Sequence, residues 1–390
     1  MIEEHAILAP SSAPQWGNCS GSVMASRHAP DLDSEESRRG TAAHWVGSET
    51  LESHKRGEPR HCWDLVGKVA PNGVVIDEEM AEGADVYVSD VLAVAEEYGM
   101  VSEMMIEKRV AMPQIHAQNW GTLDCALAVL RQRVIYLWDY KNGHREVLSR
   151  FNLQFIDYMA GLVNELGING QQDQHIRVVM RAVQPFCYKA KGPVDEWSCM
   201  LSDLRGHFNQ LASKAHEALT NPSLSTGPWC RDCHAVKTCS AARRASYNLI
   251  DYASAPYEMD AMTGPDLAVE RQILAAGSLV AKARLEAIED ELHSRVAAGA
   301  TDTGLSLQAS KGRLEWAVSP EQAVALATQF KADISKQGAL TPAQAKAAVP
   351  RELRQQFDQV LKSVTRRPAG GLKLIEAGDT IAARAFKPRS

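Results

Sequence analysis

Apolar and polar positions recur with two different periods along the first part of the chain, and these periods predict its elements. Between residues 78 and 98, apolar side chains return every three or four positions, which is typical of a helix with one buried face. The stretch 134–138 is continuously apolar, as in a buried strand, and 176–183 is rich in β-branched residues. Helical periods return at 154–158 and 201–219. This succession predicts an α/β (α+β) fold, with a small mixed sheet flanked by helices.

The pattern changes near residue 253, where a second, mainly helical region is expected. Thr263 and Pro265 are typical of a helix start, and an alanine-rich helical period follows them. The alternating segment 305–316 predicts a short hairpin or an edge segment before further helical patterns. We therefore predict one domain over residues 1–250 and another over 251–390. The second domain ends in a tail rich in Lys and Arg, which either contacts phosphates or is solvated.

Composition and charge narrow the class of protein. The chain has 390 residues, of which 45% are hydrophobic and 23% charged, as in an ordinary globular protein. Its net charge of −6 excludes a uniformly basic protein that coats nucleic acid, but leaves room for a local basic channel. No signal-peptide pattern and no apolar run of about 18 residues is present. We expect a cytoplasmic protein without membrane contact, whose eight cysteines are metal ligands or buried thiols.

A group of charged residues stands where the apolar strand at 134–138 ends. Alternate side chains of a strand share a face, so Asp139 and Lys141 should point the same way and Tyr140 the other. A neighbouring strand can place Asp124 beside Asp139, which gives two oxygen donors for Mg²⁺ or Mn²⁺. Lys141 would then orient a water molecule or neutralise charge on a phosphate. The alternative interpretation is a hairpin with a surface salt bridge.

Four short motifs resemble those of RecB-like nucleases in the PD-(D/E)XK superfamily. They are Gly40-x-x-x-His44, Gly121-Thr122-Leu123-Asp124, Asp139-Tyr140-Lys141 and Gln154-x-x-x-Tyr158. Leu123 stands where a proline is usually written before the first aspartate. On the residues alone, His44 on a helix that Thr41 is predicted to cap would be interpreted as structural.

The resemblance implies a restriction-endonuclease-like core and a role for each matched side chain. The metal would be held by His44, Asp124, Asp139 and the carbonyl group of Tyr140. Lys141 would assist the attacking water, while Gln154 and Tyr158 would support the site and the DNA strand near it. Glu107 lies where related nucleases often place an acidic residue, although a solvated strand position fits it equally well.

Three cysteines form a second group that is typical of a metal centre. Cys230, Cys233 and Cys239 have the spacing C-x2-C-x5-C after a turn rich in Pro and Gly, and Cys19 is the candidate for a fourth ligand. One cysteine before the nuclease motifs and three after them resemble the iron–sulfur staple of AddB-type and CRISPR-adaptation nucleases. This implies a [4Fe–4S] cluster. Structural zinc, completed by His234 or Cys19, is the alternative.

The layout as a whole resembles a family of phage-encoded proteins described as a domain of unknown function. Their Ser-Ser-x-x-x-Trp-x-x-Cys start matches residues 11–19. These resemblances lead us to expect a Mg²⁺- or Mn²⁺-dependent DNA exonuclease of phage recombination or replication. It would act on linear duplex or single-stranded ends in the host cytoplasm, beside a single-strand-binding or annealing protein. The alternatives are a catalytically inactive DNA-binding or scaffold protein with the nuclease fold, and a zinc-stapled endonuclease or nickase.

Overall fold

The apolar strand predicted near residue 134 lies at the centre of a five-stranded sheet in the computed structural model. The strands are β1 (Met105–Ala111), β2 (Trp120–Val129), β3 (Val134–Tyr140), β4 (Arg177–Val183) and β5 (Val194–Met200). They lie in chain order across the sheet, and β3 is buried along its whole length. Only β3 and β4 run parallel, so the sheet is mixed, as predicted. The structure describes residues 6–27, 35–170, 173–187, 192–253, 263–311, 314–334, 341–367 and 369–376.

Helices cover both faces of this sheet. Those of the first 253 residues are α1 (Ala13–Trp16), α2 (Gly21–Ser26), α3 (Glu35–Lys55), α4 (Glu78–Glu97), α5 (Leu153–Glu165), α6 (Leu201–Thr220) and α7 (Ser240–Ala253). The apolar side chains of α3 and α4 form one core with the sheet, and those of α5 and α6 form a second core with its other face. None of the described helices combines the length and the apolar character that a bilayer crossing requires.

The helix that carries His44 does not depend on Thr41 as a cap. Thr41 lies within α3, and its hydroxyl donates to the carbonyl oxygen of Ser37 at 3.1 Å. Threonines inside helices commonly make this bond to the preceding turn. Glu35 and Glu36 occupy the first turn, where the helix dipole favours negative charge. The predicted capping role of Thr41 is therefore wrong.

The strand β5 was not predicted from the sequence. Its four apolar residues are interrupted by Asp195, Glu196 and Ser198, and none of its seven positions is fully buried. An edge strand that reaches solvent needs little apolar surface, which removes the signal that revealed β3.

The chain divides into two compact units, Met1–Arg284 and Leu285–Ser390. The domain boundary predicted after residue 250 stays a prediction. The elements from residue 264 onward are α8 (Gly264–Ala297), β6 (Leu305–Lys311), β7 (Glu315–Trp316), α9 (Pro320–Gln329), α10 (Pro342–Ala348), α11 (Arg354–Val364), β8 (Thr365–Arg366) and β9 (Ala369–Glu376). In the second unit β6 pairs with β9, and β7 pairs with β8. For residues 305–316 the sequence predicted a hairpin or an edge segment. The structure has edge strands, because β6 and β7 pair with β9 and β8 and not with each other.

A buried acid–amide pair connects α5 to the loop between β1 and β2. Asn119 donates from Nδ2 to Asp157 Oδ1 at 2.7 Å, and both residues are almost fully buried. The other oxygens of the pair, Asp157 Oδ2 and Asn119 Oδ1, are buried without a hydrogen-bond partner. A proton on Asp157 would supply the donor that Asn119 Oδ1 needs. Burial raises the pKa of Asp157 to about 8, although the hydrogen bond from Asn119 opposes this effect.

We expect Asp157→Asn to remove a pH dependence of stability. The unfolded carboxyl releases its proton near pH 3.9, whereas the folded one keeps it to about pH 8. The free energy of unfolding should therefore fall by a few kcal/mol as the pH rises between these values. Asparagine keeps the shape and supplies an N–H donor, so the variant should lose this slope. Denaturant titrations across that range, with Asp302→Asn as the surface control, measure it. Equal slopes in wild type and Asp157→Asn would contradict the protonated carboxyl.

Candidate metal centre

The strands β2 and β3 part where the two predicted aspartates lie. Their pairing ends at Cys125 opposite Trp138, so the next positions are Asp124 and Asp139. There Asp124 Oδ2 accepts the backbone N–H of Tyr140 at 2.7 Å, which replaces the missing bond between the strands. β3 continues beside β4, with Tyr140 opposite Val183. Asp124 and Asp139 thus stand on either side of an opening in the sheet.

Asp139, Lys141 and Gln154 form one hydrogen-bonded group at this opening. Lys141 Nζ lies 3.1 Å from Asp139 Oδ1 and 2.9 Å from Oδ2, so the predicted shared face of the two side chains is found. Gln154 donates from Nε2 to Asp139 Oδ1 at 2.7 Å and accepts from Lys141 at 3.4 Å. Asp139 Oδ2 is within ion-pair distance of Lys141 but lacks the alignment of a hydrogen bond. One buried carboxylate oxygen is therefore open to a further ligand.

A second group comes from three different elements. His44 of α3, Glu107 of β1 and Asp124 of β2 each direct one ligand atom to the same place, and these atoms all lie within 4.8 Å of one another. His44 Nδ1 is 3.5 Å from Asp124 Oδ1, and its ring lies against Tyr140 with centroids 5.1 Å apart. Glu107, for which the sequence left two interpretations open, thus belongs to the group. It stands opposite Asp124 between the pairs 106–125 and 108–123.

The backbone bends sharply at Glu107. Its φ of +44° is left-handed, a conformation that side chains other than glycine rarely adopt. On either side of the bend, Ile106 packs under α3 and α4, whereas Val110 packs under α5. In β2, Cys125 and Leu123 also pack into different cores. Residues an even number apart should share a face, so both strands change face here. The side chains at this point, Glu107 and Asp124, enter the site instead of a core.

Burial and charge together set the protonation of the site. Burial raises the pKa of Asp124, but the charges of His44 and Lys141 and the N–H of Tyr140 lower it, and the net pKa is lowered. Burial, then the charge of Asp124, raise the pKa of Asp139 against the effect of Lys141. Burial and then Asp124 raise the pKa of Glu107 to about 7, although its side chain keeps contact with solvent. A cation would relieve this repulsion among carboxylates.

Tyr158 supports the site through the backbone rather than through the aspartates. Its hydroxyl donates to the carbonyl oxygen of Thr122 at 2.7 Å, which fixes β2 two residues before Asp124. The neighbouring Gly121 has no room for a side chain, since a Cβ would lie 2.8 Å from Pro10 and 3.2 Å from the Tyr158 ring. The role given to the Tyr140 carbonyl stays a prediction.

The four predicted cysteine ligands lie around a single cavity. Cys19, which is some 210 residues from the others in sequence, lines it together with Cys230, Cys233 and Cys239. Each sulfur accepts a backbone N–H. The donors are Ser225 for Cys19 at 3.4 Å, Gly227 for Cys230 at 3.5 Å, Ala242 for Cys239 at 3.5 Å, and Ala235 for Cys233. Such donors stabilise thiolates at a metal centre. His234, the alternative zinc ligand, lines a neighbouring cavity.

One family model, described as "Protein of unknown function (DUF2800)", matches residues 5–381. The chain belongs to this family. The match spans both compact units and every predicted site residue. The expected resemblance to a family of unknown function is thereby confirmed. Because the family carries no assigned activity, the nuclease assignment depends on the geometry of the site.

We expect Mn²⁺ to raise the melting temperature of the protein through this centre. An ion that binds only the folded state stabilises it in proportion to the logarithm of its concentration above Kd. Asp124→Asn should abolish the shift, and Glu107→Gln should reduce it, because each loses a charged oxygen donor. Glu103→Gln, in the turn before β1, is the matched control and should keep the shift. Thermal denaturation with and without about 1 mM Mn²⁺ measures it. An undiminished shift in Asp124→Asn would place the bound ion elsewhere.

Proposed function

We propose that this protein is a metal-dependent deoxyribonuclease of the PD-(D/E)XK type that acts as an exonuclease on linear DNA. The observation that carries the proposal is the joining of two groups at one opening of the sheet. His44, Glu107 and Asp124 offer close ligand atoms, and the Asp139–Lys141–Gln154 group lies beside them. A hairpin with a surface salt bridge would not need a buried carboxylate next to a second acidic group. A role in phage recombination or replication is part of the proposal by resemblance alone.

The residues present fit a hard divalent cation. Three carboxylates and one imidazole make up the donor set of Glu107, Asp124, Asp139 and His44, which suits Mg²⁺ or Mn²⁺. The open oxygen of Asp139 is the donor that such an ion would take up. A bound ion supplies Lewis-acid polarisation of a phosphoryl oxygen and lowers the pKa of a water molecule.

Lys141 acts as a cation in this proposal, not as a base. Burial lowers the pKa of Lys141, but the charges of Asp139 and Asp124 raise it by a larger amount. The net pKa is therefore raised, and the ammonium group is retained at neutral pH. Asp139 and Gln154 hold it in place from two directions. An ammonium group fixed beside the carboxylates can donate to a phosphate oxygen or to the attacking water and offset the charge that develops on the phosphate.

For the four cysteines we propose a [4Fe–4S] cluster in preference to zinc. Tetrahedral zinc with bonds of about 2.3 Å would bring its sulfurs to about 3.8 Å from one another. Among the described residues, the one set of three or more ligand atoms within 4.8 Å is the His44 group, so no three of these sulfurs lie that close together. A cubane cluster holds its cysteines at separate corners, which agrees with this spacing. The cluster would connect Cys19 to the segment 230–239.

Asp139→Asn and Lys141→Gln should each lower Mn²⁺-dependent degradation of linear duplex DNA by about 100-fold or more, because both remove charge from the reaction site. Lys108→Gln, which alters a surface pair with Glu165, is the matched control and should stay active. Release of nucleotides from end-labelled linear DNA, compared with a closed circle, measures the activity. Full activity of Asp139→Asn would refute the site. DNA binding without hydrolysis by the wild type would support the scaffold alternative.

Protein purified without oxygen should be brown, with absorbance near about 400 nm and equal amounts of iron and acid-labile sulfide. Cys19→Ser and Cys239→Ser should lose the colour, because each removes one ligand. Cys199→Ser, on β5, should keep it. One zinc ion per chain in place of iron would instead support the zinc-stapled alternative.

A further inference from the structure

The outer part of the β1–β2 pair has an open face beside the metal centre. Arg109 is paired with Thr122 across the strands, and Ala111 with Trp120. Arg109, Ala111 and Thr122 are exposed, and Trp120 is half-buried. The opposite face is covered, since Val110 belongs to the core under α5. This exposed face of β1 and β2 continues from the metal centre, so a substrate bound at the centre can extend over it.

Arg109 lies flat on Trp120 at this open face. Its guanidinium carbon is 3.6 Å from the centre of the indole ring. Among the described residues, no carboxylate forms an ion pair with Arg109. Arg181 provides a contrast, since it lies over Tyr136 but is paired with Asp90 and Glu196. The charge of Arg109 is therefore directed outward, whereas that of Arg181 is neutralised within the protein.

The position of this pair relative to the carboxylates matches the repeat of a nucleic-acid strand. Arg109 lies two residues beyond Glu107, and Thr122 two residues before Asp124. At about 3.3 Å per strand residue, Arg109 is roughly 7 Å along the sheet from the carboxylates. A phosphate held at the carboxylates would place its neighbouring nucleotide near Arg109 and Trp120.

We propose that Arg109, stacked on Trp120, binds the unpaired DNA strand next to the phosphodiester that is cleaved. This inference rests on the proposed nuclease function and identifies the part of the substrate that it holds. A guanidinium supported by an indole offers a plane on which a base stacks and N–H edges that reach a phosphate. A base must leave its duplex to stack in this way, so the strand bound here is single-stranded. In a chain with a net charge of −6, a cation that has no ion-pair partner among the residues described also attracts the DNA backbone to the site.

The test measures affinity in the absence of hydrolysis. A fluorescein-labelled oligothymidylate of about 20 nucleotides is titrated with protein in EDTA, and anisotropy gives Kd at several salt concentrations. Arg109→Ala should weaken binding by about tenfold and lower the salt slope by about one. Trp120→Ala should weaken it similarly, because Arg109 loses its support. The double variant should bind about as weakly as Arg109→Ala alone, since the two residues act as a unit.

Two further variants separate stacking from charge. Arg109→Lys keeps the charge and loses the plane, so it should restore the salt slope but not the affinity. Trp120→Phe keeps an aromatic ring under Arg109 and should retain most of the affinity. If Trp120→Ala lowers the melting temperature, Trp120→Phe is used in its place. Arg150→Ala is the matched control, because Arg150 lies over Phe151 with its guanidinium carbon 5.0 Å from the ring centre. Its affinity should be unchanged.

Wild-type affinity in both Arg109→Ala and Trp120→Ala would overturn the proposal. A loss that is equal for single-stranded and blunt duplex oligonucleotides would also overturn it, because it would indicate a phosphate contact without base stacking. If the variants lose affinity as predicted but the wild type cuts no DNA, the proposed nuclease is refuted and the proposed binding surface is retained. Absence of binding by the wild type would refute the surface itself.

Discussion

The hydrogen bond from the Tyr140 N–H to Asp124 determines the shape of the candidate centre. It allows β2 and β3 to separate without leaving a buried N–H unpaired, which would be costly. β3 stays fixed to β4 at the same level, so the end of the strand that carries Asp139 and Lys141 is held rigidly. The same bond favours the ionised form of Asp124. A ligand that is charged and oriented in advance needs little reorganisation to bind a cation.

The strained backbone of Glu107 distinguishes this centre from a chance cluster of charges. A left-handed residue inside a strand costs on the order of 1 kcal/mol or more, and placing its carboxylate near Asp124 adds repulsion. Regular pairing before and after Glu107 sustains that conformation. Its consequence is the change of face that directs Glu107 and Asp124 into the site, and it also leaves the face of Arg109 and Trp120 open.

The spacing of residues along a single strand predicted the parts of the site that one element forms. It could not predict the parts that depend on contacts between several elements. The alternation along a strand placed Asp139 with Lys141. The resemblance to RecB-like nucleases, and not a local period, assigned Gln154 to the same site. Glu107 was left with two interpretations because its position follows from a bend and a cross-strand register that no local pattern encodes. The stacking of Arg109 on Trp120 likewise requires the pairing of β1 with β2. The strand β5 was missed because polar residues interrupt its apolar ones and leave no continuous apolar run.

The cysteine loop and the proposed catalytic strand are connected through the segment between them. Asp232, inside the loop, makes a two-pronged ion pair with Arg145, which follows Lys141 by four residues. The buried Gln184 holds the same segment through both backbone groups of Val147 at 2.6 Å. A cluster that orders residues 230–239 would therefore also restrain the chain between Lys141 and Gln154. In this arrangement the proposed cluster would contribute to the position of Lys141 without contacting the substrate, which would explain why a structural cluster lies near the proposed hydrolytic site.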